Sequence, residues 1–153
     1  VRTPSEIAKI PPLMLISQGD DLRIPASTSA TGPLALADID GDGDLDLFLG
    51  GRAIPGAYPL PSSSRIFWNE GDEWVEDSVA TDVLDGIGLV SGAVFSDVDI
   101  DGDPDLILAI EWGPVRLLRN DGGQFSEVTD GWGLGTLHGR WNGIATGDLN
   151  SDG

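Results

Sequence analysis

Apolar positions along the chain come in short runs cut by Gly, Asp and Pro. Leu34–Ala37, Leu45–Leu49, Leu106–Ile110 and Val115–Leu118 are the clearest of them. Runs of about four to six residues bounded by turn formers predict short, buried strands rather than helices. Helical periodicity is scarce. The one stretch that reads as helical, Pro4–Ile10, runs into Pro11-Pro12 and must stop there. With 22 Gly and 10 Pro to supply turns, the pattern predicts an all-β chain.

The strand-like runs recur in register. Leu34–Gly51 reads LALADIDGDGDLDLFLGG, Ala93–Ile110 reads AVFSDVDIDGDPDLILAI, and Ile144–Gly153 reads IATGDLNSDG. Their first aspartates, Asp38, Asp97 and Asp148, lie 59 and 51 residues apart. A second element repeats in phase: Arg65–Glu76 reads RIFWNEGDEWVE and Arg116–Glu127 reads RLLRNDGGQFSE. Each resembles a β-hairpin with an Asn-led turn. One unit is therefore strand, acidic loop, strand, hairpin. Four short strands in roughly 50 residues is the size of a β-propeller blade. The units divide the chain into an N-terminal segment with a partial blade (1–33), a blade at 34–90, a second at 91–140, and the start of a third at 141–153. Within the first, Leu13–Ala30 resembles a degraded hairpin half with Gln18-Gly19-Asp20-Asp21 at its turn. The stretch Gly51–Ser64 lengthens the first period and is expected to be an exposed loop.

The acidic loops carry the candidate chemistry. Both complete copies follow D-x-D-x-D-G-x-x-D: Asp38, Asp40, Asp42, Gly43, Asp46, and Asp97, Asp99, Asp101, Gly102, Asp105. Calcium takes six to eight oxygens at ~2.3–2.6 Å. Carboxylates at positions 1, 3 and 5 converge when a loop curls, glycine at position 6 allows the sharp turn, position 7 offers a carbonyl, and position 9 closes the shell. Without a cation, so many clustered carboxylates repel one another. An EF-hand is excluded because position 12 is Leu49 or Leu108, not Glu, and lies in a strand-like run. The third copy, Asp148, Asn150 and Asp152, ends before its position 9. That break leads us to expect an excerpt of a longer chain.

These residues resemble the FG-GAP/VCBS repeats of integrin-α-like β-propellers. Arg116–Leu134, RLLRNDGGQFSEVTDGWGL, is especially similar to VCBS and ASPIC/UnbV-type secreted proteins. The resemblance implies calcium ligands at Asp38, Asp40, Asp42, the Asp44 carbonyl and Asp46, and at Asp97, Asp99, Asp101, the Asp103 carbonyl and Asp105. It implies a calcium-binding propeller module outside the cell, whether extracellular, on the cell surface or periplasmic. Such a module binds a protein or glycan in adhesion and is not itself an enzyme. The alternative is an accessory propeller of a larger polysaccharide-active enzyme. Propellers need four to eight blades to close, so this chain is expected to form an open arc continued by further blades.

Composition narrows the partners. With 8 basic and 26 acidic residues the net charge is −18, which argues against nucleic acid. Ten of the 26 acids lie in the two complete loops and two more in the truncated third, so the acidity is largely local. There is no Cys, and the single His138 rules out a His-rich metal site. No run approaches the ~20 apolar residues of a membrane span. His138, Asp130 and Ser126 lack the nucleophile elbow of a hydrolase. Asn69 and Asn120 read as turn formers. Trp74 and Phe125 occupy equivalent hairpin positions and read as core, whereas Trp112 and Trp132 have no counterpart in the other unit and are candidates for a ligand face.

Overall fold

The computed structural model describes residues 24–149 except residue 72. The expected helix at Pro4–Ile10 and the turn at 18–21 lie outside the described residues. Among the described residues, nine strands and one short helix follow in order: β1 (Ala30–Ala37), β2 (Asp46–Ala53), β3 (Arg65–Asn69), β4 (Trp74–Glu76), α1 (Ala80–Leu84), β5 (Leu89–Ser96), β6 (Asp105–Gly113), β7 (Val115–Asp121), β8 (Gln124–Glu127) and β9 (Gly139–Arg140). Two antiparallel sheets result, β1-β2-β3-β4 and β5-β6-β7-β8, with β9 added to the end of β6. The chain is all-β, built as two blade-like meanders; no closed ring of blades forms among the described residues.

The two sheets share a register. Ala37 pairs with Asp46 and Ser96 pairs with Asp105, so each acidic loop closes the first hairpin of its sheet. Leu47 pairs with Phe67 and Leu106 with Leu118 in the next step. Asn69 then pairs with Trp74, and Asn120 with Phe125. The connections therefore alternate between two ends. The acidic loops and the Asn-led hairpin turns occupy one end. The β2–β3 and β6–β7 connections occupy the other.

The core lies between the sheets. Phe48 and Ile66 of the first meet Val90, Leu106, Leu108, Ile110 and Leu118 of the second, with Ile39 from the first acidic loop among them. Strand β6 is buried from Asp105 to Glu111, as its unbroken apolar run demands. Strand β1 differs from expectation. Leu34 is 47% and Leu36 55% exposed, while Ala35 and Ala37 face the core. No described element covers the face of β1 that carries Leu34 and Leu36; its alanine face is the one that packs on the core.

The β4–β5 connection holds the helix that the sequence did not disclose. Asp77 Oδ1 accepts from the N–H groups of Val79 (2.8 Å) and Ala80 (3.2 Å) and so starts α1. Ala80 and Leu84 then pack into the core. Five residues are too few to show a helical period. The stretch 51–64 is also less of a free loop than expected. Residues 51–53 extend β2, and Ser62 and Ser64 are buried; Ser64 Oγ accepts from the N–H of Gly51 at 3.0 Å. Tyr58 and Leu60, in its middle, are exposed.

Candidate metal centre

Each acidic loop leaves one strand and enters the next within nine residues, so the backbone must turn sharply. It does so at positions 4 and 6. Gly41 and Gly43 have φ of 78° and 98°, and Ile100 and Gly102 have 63° and 103°. Position 6 is Gly in both loops, as left-handed backbone favours. Ile100 occupies the same conformation with a β-branched side chain, which is strained.

With the backbone so turned, its N–H groups point inward at the carboxylates. Asp38 Oδ2 accepts from Gly43 N (3.1 Å), and Asp97 Oδ2 from Gly102 N (3.0 Å). Asp40 Oδ1 accepts from Asp42 N (3.2 Å). Asp42 Oδ1 accepts from Asp44 N (2.8 Å), and Asp101 Oδ1 from Asp103 N (3.0 Å). These bonds fix the side chains before any ligand arrives.

Position 9 does a different task. Asp46 and Asp105 are the first residues of β2 and β6 and are 2% and 0% exposed. Asp46 accepts from Ile39 N on Oδ2 and from Asn69 N on Oδ1, both at 2.9 Å. Asp105 repeats this with Val98 N (2.9 Å) and Asn120 N (2.8 Å). Each carboxylate thus joins its acidic loop to its hairpin turn. The role of Asn69 and Asn120 was only half visible in the sequence. Their Oδ1 atoms do cap the turns, accepting from Gly71 N (3.1 Å) and Gly123 N (2.8 Å). Their side-chain amides also reach out: Asn69 donates to Leu45 O (3.3 Å), and the fully buried Asn120 donates to Ile39 O (2.8 Å) in the first loop.

The loops bring together two groups whose ligand oxygens lie within 4.8 Å of one another: Asp38, Asp40 and Asp42, and Asp97, Asp99 and Asp105. Asp44 and Asp103 belong to neither group, and Asp103 Oδ2 instead accepts from Gly122 N at 2.8 Å. Asp46 and Asp101 also fall outside these groups, though both remain in their loops. Asp148 is exposed near the end of the described residues. Asn150 and Asp152 lie outside them.

The electrostatics follow from this crowding. Burial pushes the Asp46 carboxyl above the usual carboxylate range against the pull of its two backbone donors, and Asp40 and Asp42 push it further. The Asp99 carboxyl is also raised, by desolvation and then by Asp101 and Asp105. Asp38 Oδ1 is buried and accepts no hydrogen bond. An oxygen in that state lacks a cation or donor to offset its lost hydration. An all-oxygen set of carboxylates fits a hard cation.

Among protein families, the FG-GAP-like repeat matches residues 97–153. Over these residues the chain is similar to an FG-GAP-like repeat. The repeat starts on Asp97, position 1 of the second loop, and runs through Asp148. No curated protein and no solved structure matches the chain. FG-GAP repeats are structural modules of propeller-like proteins and are generally non-catalytic, and the two sheets here have the form of such blades. No helix among the described residues is long and apolar enough to cross a membrane.

Proposed function

We propose that the chain is a calcium-stabilised propeller module of a secreted or surface protein, and that it binds a protein or glycan without catalysing a reaction. The observation that carries the calcium reading is Asp38. Its Oδ1 is buried without a partner, in a loop where three carboxylates converge. The raised carboxyls of Asp46 and Asp99 point the same way, since a divalent cation would restore full ionisation to such crowded acids. The ion would be held by Asp38, Asp40, Asp42 and Asp46 in one loop and by Asp97, Asp99, Asp101 and Asp105 in the other, with the Asp44 and Asp103 carbonyls completing the shells. Its chemistry there is structural: it neutralises the loop that joins two strands.

Extracellular modules hold calcium at about 10⁻⁴–10⁻³ M, so the loops would fill outside a cell and stay largely empty in cytosol. Thermal unfolding with calcium and with chelator tests the reading. At a calcium concentration of about 100 times Kd, one site adds about 2.7 kcal/mol. Asp42→Ala and Asp101→Ala are each expected to remove part of that gain. An unchanged melting temperature on adding calcium to the parent would sink the proposal.

A further inference from the structure

At the end of the sheets opposite the acidic loops, two of the chain's few cations converge on one buried carboxylate. Glu111 is 4% exposed; Arg52 of β2 forms an ion pair with its Oε2, and Arg140 Nε of β9 donates to its Oε1 at 3.1 Å. Two guanidinium groups against one carboxylate leave this spot positive in a chain of net charge −18. The next residue, Trp112, has φ of 66° and is 59% exposed. A large side chain held in left-handed backbone is strained, and such strain marks functional surfaces. The indole is fixed in place. Its Nε1–H donates to Tyr58 Oη at 2.7 Å, and the Arg140 guanidinium lies 5.6 Å from its ring centre. Tyr58 is itself 56% exposed.

We infer that Trp112, Tyr58 and Arg140 form a binding platform for a carboxylated sugar, a uronic acid unit of an acidic polysaccharide. The aromatic rings offer flat apolar surface to the C–H face of a pyranose, with the Tyr58 phenol oxygen, oriented by the indole N–H it accepts from, at its rim. The surplus guanidinium charge suits the uronate carboxylate, which arginine can grip with two parallel hydrogen bonds. An acidic peptide would share the charge but not the pyranose face. This inference rests on the binding-module half of the proposed function, not on the calcium half.

The test is titration of the full chain with oligogalacturonate, read by tryptophan fluorescence and by calorimetry, with a neutral oligosaccharide and a polyglutamate peptide as controls. Saturable binding of the uronate is expected, weakened at least about tenfold by Arg140→Ala, which removes a charge-assisted contact, and lost in Trp112→Gly. The glycine variant relieves the positive φ, so its melting temperature should hold or rise while binding disappears. That combination cannot come from unfolding. Absence of uronate binding, equal binding by Trp112→Gly, or equal affinity for the neutral sugar or the peptide overturns the inference. Calcium-dependent melting, measured in the same samples, reports separately on the loops.

Discussion

Position 4 of the acidic loops separates the two repeats. Gly41 and Ile100 share left-handed backbone, at φ 78° and 63°, yet one has no side chain and the other is β-branched and 70% exposed. Ile100→Gly removes a conformational cost and buries nothing new, so it is expected to raise stability by about 1 kcal/mol. Gly41→Ile should lower it by a similar amount, because a Cβ there meets nothing within 4 Å and only the backbone objects. Chemical denaturation midpoints in chelator would check both. Gly51 is the opposite kind of glycine. A Cβ on it would stand 2.2 Å from the Ser63 carbonyl oxygen, so Gly51→Ala must push backbone aside. A loss of about 1–3 kcal/mol is expected, read as a lower melting temperature. The glycine at position 6 was predictable from the loop motif alone. The clash at Gly51 was not, because Ser63 reaches it only across β2 and β3.

At the scale of elements, the hairpin turns and the acidic loops act as one piece. Asp46 with Asn69, and Asp105 with Asn120, tie each loop to the turn beside it. The ties are unequal. Asn120 is fully buried and reaches Ile39 O in the acidic loop of the other sheet, whereas the Asn69 amide makes a longer, exposed bond to Leu45 O. Asn120→Ala leaves Ile39 O and Gly123 N without their side-chain partners. It should cost about 2–4 kcal/mol, and Asn69→Ala distinctly less, by urea unfolding of the two variants. The repeated hairpins were legible because their strands, turns and acids recur in phase. Helix α1 was not legible: Asp77 starts it and the core holds Ala80 and Leu84, but its five residues carry no period of their own. The apolar runs also told less than they promised about burial. Leu34 and Leu36 belong to such a run and yet are exposed, because what covers a strand face is another element, not the strand's own sequence.

Across the whole molecule, Glu111 links the two sheets at the end away from the acidic loops. The Arg52 guanidinium paired with its Oε2 holds its carboxyl below the usual carboxylate range, against its own desolvation and with help from Arg140. A carboxyl with a lowered folded pKa adds stability above its unfolded pKa and loses it as pH falls through the folded value. Glu111→Gln is therefore expected to be destabilised by about 1–3 kcal/mol at neutral pH, since two arginines lose their counter-charge. The gap to the parent should close as pH drops below the ordinary carboxylate range. Urea midpoints from pH 7 to pH 3, taken in chelator, would show convergence; a gap constant with pH would refute this role.

The sequence by itself determined the periodic features: the all-β character, the two acidic loops and the spacing of their carboxylates, and the phase between loop and hairpin. Each depends on residues within a few positions of one another, where turn preference and carboxylate spacing act directly. Tertiary structure decided what depends on partners far along the chain. It left Leu34 and Leu36 uncovered, carried Asn120 to Ile39, and drew Arg52, Glu111 and Arg140 onto one spot beside Trp112. Those contacts span from 29 to 81 residues. No local pattern encodes them, because they arise only when two sheets close on a shared core.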